Sequence, residues 1–195
     1  MKKDTDYWVS IDNVPSSLNH SAMLNDLISL SGLNSIVDFG CGDGKLLEQF
    51  SIFGKEQLGI DINESSINEA IKKQVPLTTF ICSDLSSLSI DKKYDLGVLK
   101  ATLTVICGAR ERLNLLKKVS TIATRYLYIN DFLQTPSHSF YFNRYANGFL
   151  DTGELGSFNV MENNKFAYQA HHFTELELEV LLQLSNFKII KKNIS

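Results

Sequence analysis

The sequence predicts an α/β domain: a doubly wound, mostly parallel sheet with a late insertion that contains a β-hairpin. Three observations predict it. From residue 35 to about residue 130, short apolar runs alternate with segments of helical period, the pattern of right-handed strand–helix–strand crossovers. The first of these runs ends in a turn with glycines at 40, 42 and 44, where doubly wound sheets place their ligands. After the fifth run, roughly 40 aromatic-rich residues break the rhythm, more than an ordinary connection needs.

The elements follow in order. Residues 16–31 put Leu18, Met23, Leu24, Leu27, Ile28 and Leu30 at helical spacing, and Gly32 is a natural stop. Residues 35–39 are the first strand, 45–53 a helix and 57–61 the second strand. Asn63 caps a helix through Ile67, Ala70 and Ile71, with Glu64 in its first turn. Residues 78–82 and 94–99 are the third and fourth strands, with Asp95 read as a turn residue. From 111 to 123, Leu113, Leu115, Leu116, Val119 and Ile122 fall mostly on one helical face, and 126–129 is the fifth strand.

Within the insertion, 156–161 and 166–170 flank the turn Glu162-Asn163-Asn164-Lys165. Thr174-Glu175-Leu176-Glu177 is a capping box opening a helix to about Ser185. Residues 187–191 read as a closing strand. The expected organisation is a single domain over 1–195. It comprises an N-terminal helical cap (1–33), a ligand-binding core (34–132), an insertion serving as lid or sheet-edge cover (133–172) and a closing helix and strand (173–195).

Composition narrows the partners. A net charge of -3 over 195 residues gives no basic field for a nucleic acid. No apolar run approaches the ~18 residues of a membrane span, and the polar N-terminus is unlike a signal peptide, so a cytoplasmic location is expected. The three cysteines, Cys41, Cys82 and Cys107, are odd in number and lack CxxC spacing. That argues against disulfides or zinc and for small buried hydrophobes in a reducing compartment. No metal is expected.

The turn Val37-Asp38-Phe39-Gly40-Cys41-Gly42-Asp43-Gly44-Lys45 departs from two phosphate-binding patterns. Lysine stands where GxGxxG needs its third glycine, and the chain has no GxxxxGK[ST]. A pyrophosphate here would face Asp38 and Asp43, which a helix dipole offsets only in part. A phosphate-free nucleoside with an ammonium and a cationic sulfur has no such conflict.

These residues resemble the first motif of class I S-adenosylmethionine-dependent methyltransferases, an acid followed by GxGxG. The resemblance continues in order through Gly59-Ile60-Asp61-Ile62, Ser83-Asp84-Leu85 and Tyr94-Asp95-Leu96-Gly97-Val98-Leu99-Lys100. It covers 35–132 well and 173–192 more loosely. It implies a Rossmann-like, seven-stranded sheet that binds S-adenosylmethionine and releases S-adenosylhomocysteine. The implied cofactor residues are Asp38, Gly40, Cys41, Gly42, Asp61, Ile62, Asp84, Leu85 and Lys100. Asp61 would take the ribose hydroxyls, Ile62 the adenine face and Asp84 the adenine amino group, unless Asp84 only caps the short segment after it.

The acceptor is less legible. After strand four the chain reads Lys100-Ala101-Thr102-Leu103, without the [DN]PP[YFW] segment of many base and glutamine methyltransferases and without an aromatic to stack a flipped base. A small-molecule acceptor is therefore expected, a hydroxyl or amine on a sugar or other metabolite. The alternatives are a protein or RNA methyltransferase and a non-catalytic cofactor-binding relative. Candidates for a general base are Asp131, His171 and His172, of which at most one histidine should reach a cleft because neighbours on a strand point oppositely. Candidates for acceptor contacts are Tyr141, Arg144 and Tyr145, with Arg144 either holding an anion or pairing with Glu154 or Asp151. Tyr7-Trp8 is read as a lid over the cofactor or as edge packing.

Overall fold

A computed structural model of the chain describes residues 5–11, 22–30 and 32–193. The chain forms two compact units, one over Met1–Thr102 and Ile122–Asp131, the other over Leu103–Thr121 and Phe132–Ser195.

The first unit carries five parallel strands: β1 (Ser35–Phe39), β2 (Glu56–Asp61), β3 (Thr78–Cys82), β4 (Tyr94–Lys100) and β5 (Ala123–Asn130). Their order is β3-β2-β1-β4-β5. Helices α1 (Thr5–Ser10), α2 (Ala22–Ile28), α3 (Lys45–Phe50) and α4 (Glu64–Lys72) belong to the same unit. β1 is central, and its Ile36, Val37 and Phe39 have no exposed surface. A strand covered on both faces needs such an unbroken apolar run. Leu24 and Ile28 of α2 pack with Ile36, Leu47, Phe50, Leu96 and Val98 in the core. Strand order reverses between β1 and β4, which opens a crevice at their carboxyl ends.

β1 and β3 have the bounds read from the sequence, whereas β5 runs three residues earlier because its pairing to β4 reaches back to Ala123 opposite Tyr94. Asp95, read as a turn residue, lies instead in β4, where its carboxylate accepts the N–H groups of Asn34 (2.7 Å) and Ser35 (3.2 Å) at the start of β1. The expected helix over 16–31 is seen as α2; residues 16–21, Leu18 among them, and residue 31 lie outside the described residues.

The second unit contains α5 (Ala109–Ile122, up to Thr121), α6 (Ser139–Thr152), β6 (Ser157–Glu162), β7 (Lys165–His171) and α7 (Glu175–Leu184). β6 and β7 form the expected antiparallel hairpin. Asn163 and Asn164, at φ 50 and 59, make the two-residue left-handed turn that matches strand twist. Thr174 caps α7 by accepting the Glu177 N–H at 3.1 Å. α6 lies directly on β6, because a Cβ on Gly148 would stand 2.1 Å from the Ser157 carbonyl oxygen.

Two elements differ from the sequence reading. Residues 139–152, to which the sequence assigned no element, are a helix and bury Tyr145 and Gly148 on one side. Residues 187–191 form no strand. Ile189 and Ile190 stay exposed (41% and 74%), and no β-partner among the described residues pairs with them. The seven strands therefore divide into a five-stranded parallel sheet and a two-stranded hairpin. Among the described residues, no helix is long and apolar enough to cross a membrane.

Candidate functional site

The glycine turn folds back over β2. The N–H groups of Gly40 and Cys41 both donate to the Ile60 carbonyl, at 2.8 and 3.0 Å. Its three glycines have different jobs. A Cβ on Gly40 would meet Thr102 Oγ1 at 2.8 Å, and that hydroxyl is fixed by donating to the Phe39 carbonyl. A Cβ on Gly44 would strike the Phe80 ring at 2.8 Å, so Gly44 serves close packing. Gly42, at φ +53, faces open space. Only there can a ligand approach the backbone without displacing protein.

Two carboxylates flank this opening. Asp61, at the end of β2, is 9% exposed; its oxygens accept the N–H groups of Gly42 (2.8 Å) and Asn63 (2.9 Å). Those bonds aim the carboxylate and leave a lone pair on each oxygen. Asp38, in β1, is 2% exposed. Burial pushes its carboxyl up to about 7, Lys100 pulls it down and Asp61 adds to the rise. No hydrogen bond from the described residues explains why a carboxylate sits there.

The other residues carried by the resemblance lie at the same carboxyl edge of the sheet. Ile62 follows Asp61 and is half-buried. Asp84 accepts the Ser86 N–H at 2.7 Å, so it does cap the segment after it, beside buried Leu85. Lys100 ends β4 and Asp131 follows β5, both half-buried. Burial and the two acids push the Cys41 thiol up, leaving it a neutral packing group. One sequence argument needs correction: Asp43 is paired with Lys73 (3.1 Å) and Lys45 (3.3 Å). Although burial acts against it, those lysines hold its carboxyl below the usual range. Asp43 therefore drops out of the sequence argument against a phosphate, which is left to Asp38 and Asp61.

In the second unit the paired histidines point apart, as alternation requires. His171 is buried, with Nδ1 2.8 Å from Ser157 Oγ and Nε2 2.9 Å from Glu177 Oε1. Arg112, whose side chain has no exposed surface, pairs with Glu154 and stands 3.8 Å from Glu177. Burial opposes ionisation of Glu154, but the Ser157 hydroxyl and Arg112 hold its carboxyl below the usual range. Glu154, His171 and Glu177 could each turn one atom to a metal, yet the guanidinium already supplies positive charge there. The sequence reading missed Arg112. Its signal was a charge three, four and seven residues before Leu115, Leu116 and Val119, on the apolar face of α5.

His172 turns the other way, into an aromatic nest. It stacks on Phe132 (5.2 Å between ring centroids), meets Phe158 edge-on (4.9 Å) and shares a 2.8 Å hydrogen bond with the Tyr145 hydroxyl. Burial, then Arg144 and His171, lowers its pKa to about 4, so it is neutral at pH 7. Tyr141 stacks on Tyr145 at 6.1 Å. Arg144 lies over the Phe140 and Phe158 rings, at 5.0 and 4.6 Å; Glu154 pairs with Arg112 instead. Arg144 borders a pocket of about 340 Å³ together with Asn143, Asn147, Asp151 and Asn159.

Comparison with known proteins agrees with this geometry. A family model described as a methyltransferase domain matches residues 36–124. A SAM-dependent methyltransferase from Methanosarcina mazei is 31% identical, with a TM-score of 0.79 over 86% of this chain and 85% of that one. Magnesium protoporphyrin IX methyltransferase from Synechocystis PCC 6803, with SAH bound, shares the fold at 23% identity and a TM-score of 0.64, over 87% and 71% of the two chains. Malonyl-[acyl-carrier protein] O-methyltransferase from Bacillus cereus is 34% identical over 95 residues, 46% of this chain and 35% of that protein. The chain spans about a third of the length of the curated relatives it matches. With a near-complete match to a solved relative and the acids and glycines of the turn in place, the chain belongs to the S-adenosylmethionine-dependent methyltransferases.

Proposed function

We propose that the chain transfers a methyl group from S-adenosylmethionine to a small-molecule acceptor, a hydroxyl or amine on a sugar or other metabolite. The observation that carries this reading is Asp38: a buried carboxylate with no hydrogen-bond donor among the described residues, beside an open glycine turn and a second acid. A site that keeps such a charge fits a cationic nucleoside and rejects a pyrophosphate. The residues present fit the cofactor. Asp38 would hold its positive amino-acid end, Gly40, Cys41 and Gly42 its close approach, Asp61 the ribose hydroxyls, Ile62 the adenine face, and Asp84 and Leu85 the adenine edge. Burial favours the neutral form of Asp38, and Lys100 opposes it. When bound, the sulfonium supplies an activated methyl for in-line displacement.

The chain's own contribution is then alignment and, for a hydroxyl acceptor, proton removal. Asp131 is the candidate base in the first unit and His172, neutral at pH 7, in the second. Both ring nitrogens of His171 are engaged by Ser157 and Glu177, which makes it a structural member of the Arg112 cluster. Tyr141, Arg144 and Tyr145 are the proposed acceptor contacts, and Arg144 borders an open pocket of about 340 Å³.

The test is calorimetric titration of the chain with S-adenosylmethionine, S-adenosylhomocysteine and NAD, followed by a metabolite screen with methyl-labelled cofactor. The sulfur compounds should bind and NAD should not. NAD binding with no response to the sulfur compounds would overturn the reading.

A further inference from the structure

Asn63 has no exposed surface, and its amide is fully engaged. Oδ1 accepts the Ser66 N–H at 2.7 Å and caps α4. Nδ2 has two hydrogens, and it donates to the carbonyls of Trp8 and Ile11, both at 2.8 Å. Its backbone N–H donates to Asp61 Oδ1 at 2.9 Å. One side chain and its own backbone thus join the last turn of α1, the start of α4 and the acid at the end of β2.

A cap alone does not require asparagine, since serine or aspartate serves α4 as well. What only the amide supplies is a pair of donors for two carbonyls at the end of α1. That helix is six residues long, too short to persist without tertiary contacts. None of its described side chains is fully buried. The carbonyl tie to Asn63 is therefore part of what places it.

We infer that Asn63 is a positioning residue that couples docking of α1 to occupancy of the Asp61 site. The inference rests on the cofactor reading of Asp61. A nucleoside that engages Asp61 fixes the loop from which Asn63 holds α1, and a docked α1 in turn fixes Asn63 and the bond it gives Asp61. Such coupling is reciprocal.

The chain has one tryptophan, Trp8, so α1 docking is readable by fluorescence. Asn63→Ser keeps a capping oxygen and removes both donors; Asn63→Asp keeps the cap and sets a carboxylate against the two carbonyls. In the full chain, Asn63→Ser should leave the melting temperature within a few degrees of the parent, whereas Asn63→Asp, which buries a charge against two carbonyls, should lower it further. Trp8 should become more accessible to acrylamide in both. Affinity for S-adenosylhomocysteine by calorimetry should fall roughly tenfold in Asn63→Ser and further in Asn63→Asp, the scale of two lost hydrogen bonds.

Asn63→Ser with unchanged affinity, or with unchanged quenching of Trp8, overturns the coupling. Absence of S-adenosylhomocysteine binding to the parent chain overturns the cofactor reading and the coupling with it. The two failures are therefore distinguished by the parent titration.

Discussion

The backbone N–H of Gly42 donates to the Asp61 carboxylate at 2.8 Å, joining the glycine turn after β1 to the acid that ends β2. The bond explains why the two motifs occur together. Gly42 adopts φ +53 with open space where a Cβ would be, so its amide can turn toward β2 while its other side stays clear. Asp61 is held in one orientation before any ligand arrives, which lowers the ordering cost of binding.

Replacing Asp61 by alanine should weaken S-adenosylhomocysteine binding by about 1.5–3 kcal/mol, the scale of hydrogen bonds to a charged group. Asp61→Asn should retain part of that loss, since its amide nitrogen cannot accept the bond that one carboxylate oxygen accepts. Calorimetry on both variants checks the assignment. Unchanged affinity in Asp61→Ala would remove Asp61 from the site.

Gly44 and Gly42 should separate stability from binding. Gly44→Ala forces a Cβ to 2.8 Å from the Phe80 ring and 3.2 Å from Ala70, in a left-handed conformation. A loss on the order of 2–3 kcal/mol is expected from overpacking and strain together. Gly42→Ala meets no neighbour, so its strain alone should cost about 1 kcal/mol, while its methyl stands in the space proposed for the cofactor. Thermal unfolding and ligand titration should therefore rank the two variants in opposite order.

How far the sequence revealed this molecule depended on how local each cause was. β1 was legible to the residue because both its faces are buried and its apolar run is unbroken. Asp61 was legible because a carboxylate at the end of such a strand lacks a packing reason. α6 was hidden: exposed Phe140, Phe142 and Phe149 share its 14 residues with inward Tyr141 and Tyr145, and aromatics on every face erase the helical period. Residues 187–191 show the reverse case. Phe187, Ile189 and Ile190 suit a strand, but a strand also needs a partner edge, which local sequence does not encode. Arg112 stands on the apolar face of α5, which local spacing could reveal, but its partners Glu154 and Glu177 lie far along the chain, where no spacing rule reaches.

The Arg112 cluster should be structural. Arg112→Ala would leave Glu154, His171 and Glu177 without the guanidinium that stands against both carboxylates. Removing one partner of a buried ion pair costs about 3–5 kcal/mol. Arg112→Ala should therefore lower the melting temperature far more than Arg110→Ala, two residues earlier and exposed. Equal melting temperatures for the two variants would show that the cluster contributes little.

Asp38 should set a conflict between stability and binding that pH exposes. Its carboxyl is raised to about 7, chiefly by burial, against an unfolded value near 4. Between those values the folded chain holds a proton that the unfolded chain has lost, so stability falls as pH rises from about 4 to about 7, then levels off. Asp38→Asn removes that fall. Without ligand, this variant should match the parent near pH 4 and exceed it above pH 7 by an amount on the order of 4 kcal/mol. Binding should run the other way. The ammonium of the ligand's amino-acid end needs Asp38 ionised, so parent affinity for S-adenosylhomocysteine should rise by up to about tenfold per pH unit toward 7 and then flatten. In Asp38→Asn that dependence should vanish and affinity should stay low throughout. Denaturant melts and calorimetry from about pH 4 to about pH 8.5, a range that spans the window these values define, test both halves. A parent chain whose affinity ignores pH would mean that Asp38 does not face the ligand's charge.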